Sequence, residues 1–207
     1  MLRFYAISDE ILTPATKLPN MLELAIEGGC KIFQFRNKSA KDSDISTLCL
    51  ELNDICKKNK VDFILNDRVE LAIKLNINGI HIGKDDENIS FEVLRKNFSG
   101  IIGISCYGDI NRALRYQNLG ANYVAFGSIF QSKTKQNAKV VNIDILNQAK
   151  EMINIPICAI GGINTRNIAK FQNTKLDSND MIAMINSIWI GDIKSNLKEL
   201  QNKLAES

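Results

Sequence analysis

The feature that most constrains this chain is a set of short apolar runs spaced along its whole length. They read RFYAIS, CKIFQFR, VDFILN, GIHI, IIGIS, YVAFGSIF, IPICAIG and MIAMINSI, eight in all. Each is apolar or nearly so at consecutive positions, which marks a strand buried on both faces. Between them lie segments with helical spacing. Leu48, Leu52 and Ile55 share one face before the third run, and Ile143, Leu146, Ala149 and Ile153 share one before the seventh. Leu197, Leu200 and Leu204 form the last such face. Strict alternation of strand and helix requires a parallel sheet, and eight units can close on themselves. The expected fold is therefore α/β, a (β/α)8 TIM barrel. An open Rossmann-type sheet is the alternative, but no GxGxxG follows any run.

Punctuation fits the alternation. Gly28–Gly29, Gly79 and Gly120 stand where a helix should stop, and Asp144 and Thr165 are plausible caps at the other ends. Only Pro14, Pro19 and Pro156 occur, and no flexible linker interrupts the pattern, so residues 1–207 read as one domain. Lys plus Arg is 26 and Asp plus Glu is 23, a net charge of +3. That balance gives no argument from charge for a nucleic-acid or membrane partner; neither is expected, and a phosphate site must be local. No apolar run approaches the roughly 20 residues of a membrane helix. Ser8, Asp9 and Glu10 come too early for a secretory signal, and five cysteines lack metal-type spacing. The expected setting is cytoplasmic.

In such a barrel the chemistry lies at the C-terminal ends of the strands. Polar residues gather there. Gln34, Arg36, Asn37 and Lys38 follow the second run; Asn66, Asp67 and Arg68 the third; Lys84, Asp85 and Asp86 the fourth. The fifth ends at Ser105, the sixth leads into Ser132, Lys133, Thr134 and Lys135, and the seventh ends at Gly161–Gly162. Asp67 and Asp86, from adjacent strands, can reach one ion, and few hard oxygens combined with a substrate phosphate suit Mg²⁺. Rim salt bridges are the plainer account of the same charges. Arg36 and Lys38, two apart on an extended segment, point the same way and suit a diphosphate. His81, the sole histidine, faces opposite to Ile80 and Ile82 and reads as a hydrogen-bonded structural residue. Neither a Ser-His-Asp set nor a metal-binding histidine pair can be assembled.

Taken in order, these segments resemble the thiamine-phosphate synthase (thiamine-phosphate pyrophosphorylase) family. FYAISD opens the match, followed by QFRNK (34–38), ILND (64–67), GIHIGKDD (79–86), GIS (103–105), GSIFQSKTK (127–135), IPICAIGGI (155–163) and MIAMINSI (181–188). The resemblance implies a transferase that joins an aminopyrimidine methyl diphosphate to a thiazole phosphate, releasing pyrophosphate. It implies that Gln34, Arg36, Lys38, Asn66, Ser105 and Lys135 hold the pyrimidine diphosphate, with Phe35 and Asn37 in the same stretch. Asp67 and Asp86 would bind one Mg²⁺. Ser132, Thr134 and Gly162, with Lys133, Ile185 and Asn186, would hold the thiazole phosphate. Arg36, Lys38, Ser105 and Lys135 are the expected catalytic set, with small molecules as the only expected partners.

The chain departs from the family pattern at four places. Lys84 replaces a usual Gln, Gln131-Ser132 a usual Pro-Thr, Asn186 a usual Ser, and SNDM (178–181) lacks the glycine that opens the last strand. Two other functions share the fold. One is the thiazole tautomerase branch, an isomerase expected to carry a histidine after the fifth strand, where Ser105-Cys106-Tyr107 stands here. The other is a barrel without catalysis that only binds phosphate ligands or a protein.

Overall fold

The computed structural model describes residues 1–83, 90–132 and 139–206. Eight parallel strands close into a barrel in chain order. They are β1 (Arg3–Ile7), β2 (Ile32–Phe35), β3 (Asp62–Asn66), β4 (Gly79–Ile82), β5 (Ile101–Tyr107), β6 (Tyr123–Phe126), β7 (Ile157–Ile160) and β8 (Met181–Met184). The helices are α1 (Leu18–Glu27), α2 (Asp42–Lys58), α3 (Val69–Lys74), α4 (Phe91–Asn97), α5 (Ile110–Asn118), α6 (Ile145–Met152), α7 (Asn186–Trp189) and α8 (Ile193–Ala205). A short 3-10 helix, Ile168–Asn173, replaces the α-helix expected between β7 and β8.

Two cores explain why the runs are apolar on both faces. Phe4, Ala6, Phe33, Phe63, Leu65, Ile80, Ile102, Val124, Phe126 and Ile182 face outward and pack beneath the helices. Tyr5, Ile7, Ile32, Ile64, Tyr123, Ala125, Cys158, Met181 and Ala183 alternate with them and fill the barrel. All five cysteines are buried and free, acting as small hydrophobes. In α2 the buried stripe is Ile45, Cys49, Leu52 and Cys56, so two cysteines share it with Ile45 and Leu52 while Leu48 and Ile55 flank it.

Several boundaries differ from the sequence expectation. YVAFGSIF leaves the strand at Phe126, because Ile129 and Phe130 donate instead to the Ile160 and Gly161 carbonyls. MIAMINSI turns helical at Asn186. Gly120 (φ 96°) and Gly29 (φ 101°) do end helices in the left-handed region. Gly79 does not: it begins β4, where a Cβ would lie 2.4 Å from the Phe63 carbonyl oxygen. The left-handed position after α3 falls to Asn76 at φ 54°. Asp144 precedes α6 without a capping hydrogen bond, and Asn167, not Thr165, precedes the 3-10 helix. The working caps are Asp109 and Asp192, which accept from the Arg112 and Ser195 backbone N–H groups. No helix among the described residues is long and apolar enough to cross a membrane.

Candidate active site

Among the described residues, the rim formed by the C-terminal ends of β2 to β5 holds a set of polar side chains that strand alternation turns inward. Gln34, Asn66, His81 and Ser105 stand on the inner face, because their neighbours Phe33, Leu65, Ile80 and Ile104 occupy the outer one.

Asp67 follows directly on β3 in the left-handed region, at φ 65°. Asp tolerates this conformation better than most residues, and its use here re-aims the carboxylate. The Asp67 N–H donates to the His81 carbonyl at 2.9 Å, which fixes the turn to β4. Oδ2 accepts from the Asn66 side-chain amide at 2.5 Å and pairs with Lys38 Nζ at 3.4 Å. Oδ1 lies 3.4 Å from the Gly83 N–H. The structure thus brings together Lys38, Asn66 and Asp67, which the sequence placed on two different strands.

The loop carrying Lys38 is held from three sides. Ser8 Oγ accepts from the Arg36 N–H at 2.8 Å and donates to the Arg36 carbonyl at 3.2 Å. Glu10 accepts from the Lys38 N–H at 2.7 Å and from the Ser39 hydroxyl. Those bonds, the Ser39 one first and the Lys38 one next, hold the Glu10 carboxyl below its ordinary value. Arg68 donates to the carbonyls of Asn37 and Ala40 and pairs with Asp42. The sequence puts Arg68 in the rim cluster but gives it no role, and leaves Glu10 out of that cluster, because a clasp of this kind depends on pairs 26 to 31 residues apart.

Two expected side chains face elsewhere. Phe35 lies on the outer face of β2 in the helix-facing core, so only its backbone reaches the rim. Asn37 shapes its own turn: its Oδ1 accepts from the Ala40 N–H at 2.9 Å and its carbonyl accepts from Arg68. No ion pair among the described residues engages the Arg36 guanidinium. Ser105 Oγ sits 2.9 Å from His81 Nε2, and the Ser105 carbonyl accepts from Arg112 Nε at 2.9 Å. Arg112, also unforeseen, lies over the Tyr116 ring at 4.9 Å.

On the opposite side, Gly161 (φ 108°) and Gly162 (φ 62°) end β7. Here the structure gives the missing side chains a second reason. A Cβ on Gly162 would lie 2.2 Å from the Gln131 carbonyl oxygen, and one on Gly161 would lie 2.1 Å from Ser128 Oγ. The glycines admit the chain's own 128–131 segment, so ligand approach is not needed to account for them. Ile185 and Asn186 stand at the junction of β8 and α7, where Ser187 Oγ donates to the Ile163 carbonyl at 2.6 Å. Ser132 is half-buried at the end of its segment. Asp86, Lys133, Thr134 and Lys135, with Lys84 and Asp85, lie outside the described residues.

The residues that remain can be tested against a metal. Asp67 offers a hard anionic oxygen whose contacts at 3.4 Å are long, a donor chemistry compatible with Mg²⁺. Among the described residues no group of three or more acidic, histidine or cysteine side chains could hold an ion without further ligands.

Comparisons with known proteins bear on the family and the fold. The family model described as thiamine monophosphate synthase matches residues 4–188. A thiamine-phosphate synthase from Wolinella succinogenes is 44% identical over 180 residues, covering 85% of this chain and 81% of that protein. One from Ruminiclostridium cellulolyticum is 33% identical, covering 95% and 92%. Among solved structures, a thiamine phosphate pyrophosphorylase from Pyrococcus furiosus superposes with a TM-score of 0.85 at 29% identity, covering 99% and 96% of the two chains. With most of its length matched by the family model and by relatives of this similarity, the chain belongs to the thiamine monophosphate synthase family and is a transferase.

Proposed function

We propose that this chain couples 4-amino-2-methyl-5-(diphosphooxymethyl)pyrimidine to a thiazole phosphate, giving thiamine phosphate and pyrophosphate. The thiazole phosphate is the 4-methyl-5-(2-phosphoethyl) compound or its carboxylated form. The observation that carries this reading is the convergence of Gln34, Lys38, Asn66, Asp67 and Ser105 on one rim, with Lys38 and Asp67 3.4 Å apart. A cation beside a carboxylate, above a buried amide and hydroxyl, suits a ligand with a polar ring at one end and a metal-bound diphosphate at the other.

The bond between the pyrimidine methylene and the diphosphate oxygen breaks first, and the electron pair leaves with pyrophosphate. The electron-rich aminopyrimidine spreads the positive charge left on the methylene carbon. The thiazole nitrogen then forms the new C–N bond, so neither a protein nucleophile nor a general base is needed. Arg36 and Lys38, with Lys135, stabilise the charge growing on the leaving oxygen, the kind of preorganised electrostatics that dominates such steps. Asp67 with Asp86 would hold Mg²⁺, which when bound neutralises diphosphate charge. Gln34, Asn66 and Ser105 orient the ring. Ser132, Thr134 and the backbone near Gly162, with Ile185 and Asn186, keep the thiazole phosphate close enough to attack.

The test is incubation with both substrates, with and without Mg²⁺, following thiamine phosphate and pyrophosphate. Equimolar release of both, dependent on Mg²⁺, is expected. Isomerisation of the thiazole phosphate without the pyrimidine would favour the tautomerase branch instead, and ligand binding without turnover would favour a barrel that only binds.

A further inference from the structure

Five polar side chains form one hydrogen-bonded line through the barrel interior. Gln34 Nε2 lies 2.7 Å from Tyr5 Oη, and Tyr5 Oη lies 2.9 Å from Tyr123 Oη. Tyr123 Oη is 2.9 Å from His81 Nδ1, and His81 Nε2 is 2.9 Å from Ser105 Oγ. The line runs β2, β1, β6, β4, β5, crossing the lumen rather than following the wall. Four of its members are buried: Tyr5, Tyr123, Gln34 and His81. β5 is bare where the line crosses, since a Cβ on Gly103 would lie 1.9 Å from Tyr123 Cζ.

Counting protons gives the line a direction. The Gln34 amide N–H donates to Tyr5 Oη. Each phenol has one hydrogen to give, and if every hydrogen is used along the line, that of Tyr5 goes to Tyr123 Oη and that of Tyr123 to His81 Nδ1. Nδ1 is then an acceptor, which places the imidazole proton on Nε2, pointing at Ser105 Oγ. Burial favours the protonated phenols that this count requires, pushing both tyrosines up. Left over at the ends are the Gln34 carbonyl oxygen as an acceptor, beside its second amide N–H, and the Ser105 hydroxyl hydrogen as a donor.

We propose that Tyr5, Tyr123 and His81 are positioning residues that set the hydrogen-bond polarity of the pyrimidine subsite. What Gln34 presents on one side of the mouth dictates what Ser105 presents on the other. In the direction found here, the pair takes a ring with a donor group facing Gln34 and an acceptor facing Ser105, as an aminopyrimidine offers. Reversing one member reverses all five, so the two ends act as a unit. The inference rests on the function proposed above for its ligand, but not for its geometry.

The chain has one histidine, so imidazole nitrogen resonances in an ¹⁵N-labelled sample belong to His81. Long-range ¹H–¹⁵N spectra of the unliganded protein are expected to show the proton on Nε2 alone. Tyr123→Phe keeps the ring and removes one oxygen. It is expected to abolish the tautomer preference and raise KM for the pyrimidine diphosphate about tenfold, a loss of hydrogen-bond order, with KM for the thiazole phosphate unchanged. Tyr5→Phe, which cuts the line nearer Gln34, is expected to do the same. A proton on Nδ1, or on both nitrogens, overturns the proposal. So does a folded Tyr123→Phe or Tyr5→Phe protein whose pyrimidine KM equals the parent's, or whose two KM values rise together. A parent protein that makes no thiamine phosphate would sink the proposed function, while the spectrum alone would still decide the direction of the line.

Discussion

The two ends of the barrel each hold a partly or wholly buried carboxylate, and they are used in opposite ways. At the N-terminal end, Asp180 is fully buried just before β8. Its Oδ1 accepts from the Ile157 N–H at 2.8 Å, and its Oδ2 accepts from the Asp177 N–H at 2.8 Å and pairs with Lys150 at 2.9 Å. Its own carbonyl accepts from the Arg3 N–H, so it ties β1, β7 and β8 together. At the C-terminal end, Asp67 sits on left-handed backbone with, among the described residues, one close partner and two contacts at 3.4 Å. A carboxylate whose lone pairs are filled by its own chain is finished as structure. One that is strained, half-served and open at a barrel mouth is ready to accept a further partner.

The largest effect that would test this contrast is on folding. Asp180→Ala leaves the Ile157 and Asp177 N–H groups without their acceptor, and leaves Lys150 with Asp177 alone. Two donors left unsatisfied, at about 1–3 kcal/mol each, cost about 2–6 kcal/mol together. At roughly 2–4 °C per kcal/mol for a chain of this size, the thermal midpoint should fall by roughly 4–24 °C. The folded fraction should keep its KM values. A melt unchanged from the parent would show that Asp180 is no anchor and that the two ends do not differ as argued.

Asp67→Asn should invert that pattern. The shape, the left-handed backbone and the contact with Asn66 can persist, while the charge is lost. Turnover is expected to fall by about a hundredfold or more, as when one electrostatic partner of a transition state is removed. The melt should move by no more than about 1 kcal/mol in stability, as for surface changes that leave packing intact. Full activity in this variant at low Mg²⁺ would remove Asp67 from the metal site.

The contrast also separates what could be read in the sequence from what could not. Alternation of apolar runs with helical faces was enough for the barrel, because both cores are written locally as consecutive hydrophobes. The rule that chemistry lies at strand C-termini then located Gln34, Lys38, Asn66, Asp67 and Ser105. Features made by distant pairs were not legible. Asp180 stood out only as part of SNDM, where the family's glycine is missing, and Gly79 read as a helix stop. The space at Gly162 is claimed by the Gln131 carbonyl, a neighbour 31 positions away. The interior line was half legible: alternation set His81 opposite Ile80 and Ile82 with a hydrogen-bonded role, but its partners Tyr123 and Ser105 are 42 and 24 residues off.

Between the two extremes lie residues that hold the rim without touching a ligand. Arg68→Lys keeps the charge but cannot reproduce donation to the Asn37 and Ala40 carbonyls together with Asp42. The loop bearing Lys38 should loosen. A rise of about tenfold in KM for the pyrimidine diphosphate is expected, the lower end of what supporting contacts contribute around a ligand-binding ion. KM for the thiazole phosphate should stay put. Equal rises for both substrates would mean that Arg68 serves the fold, like Asp180, rather than the rim.

The smallest effect concerns Glu10, which accepts from the Lys38 N–H and the Ser39 hydroxyl at the edge of the same loop. Its carboxyl is held below the ordinary value of 4.5, by Ser39 first and the Lys38 N–H second. A depressed carboxyl gives its ordering contribution above its unfolded value and loses it as pH falls through the lower, folded one. Glu10→Gln keeps one acceptor oxygen but no charge, so at neutral pH it should raise KM for the pyrimidine diphosphate only about two- to threefold, in line with an exposed charged hydrogen bond. Only as pH falls through that depressed value, beneath 4.5, does the parent carboxyl itself become protonated, and there the two proteins should converge. The measurement is the ratio of the two KM values from neutral pH downward, which cancels titration of the substrate. A ratio that stays constant across the range would show that the charge on Glu10 does nothing for the loop, leaving Arg68 and Ser8 to hold Lys38 in place.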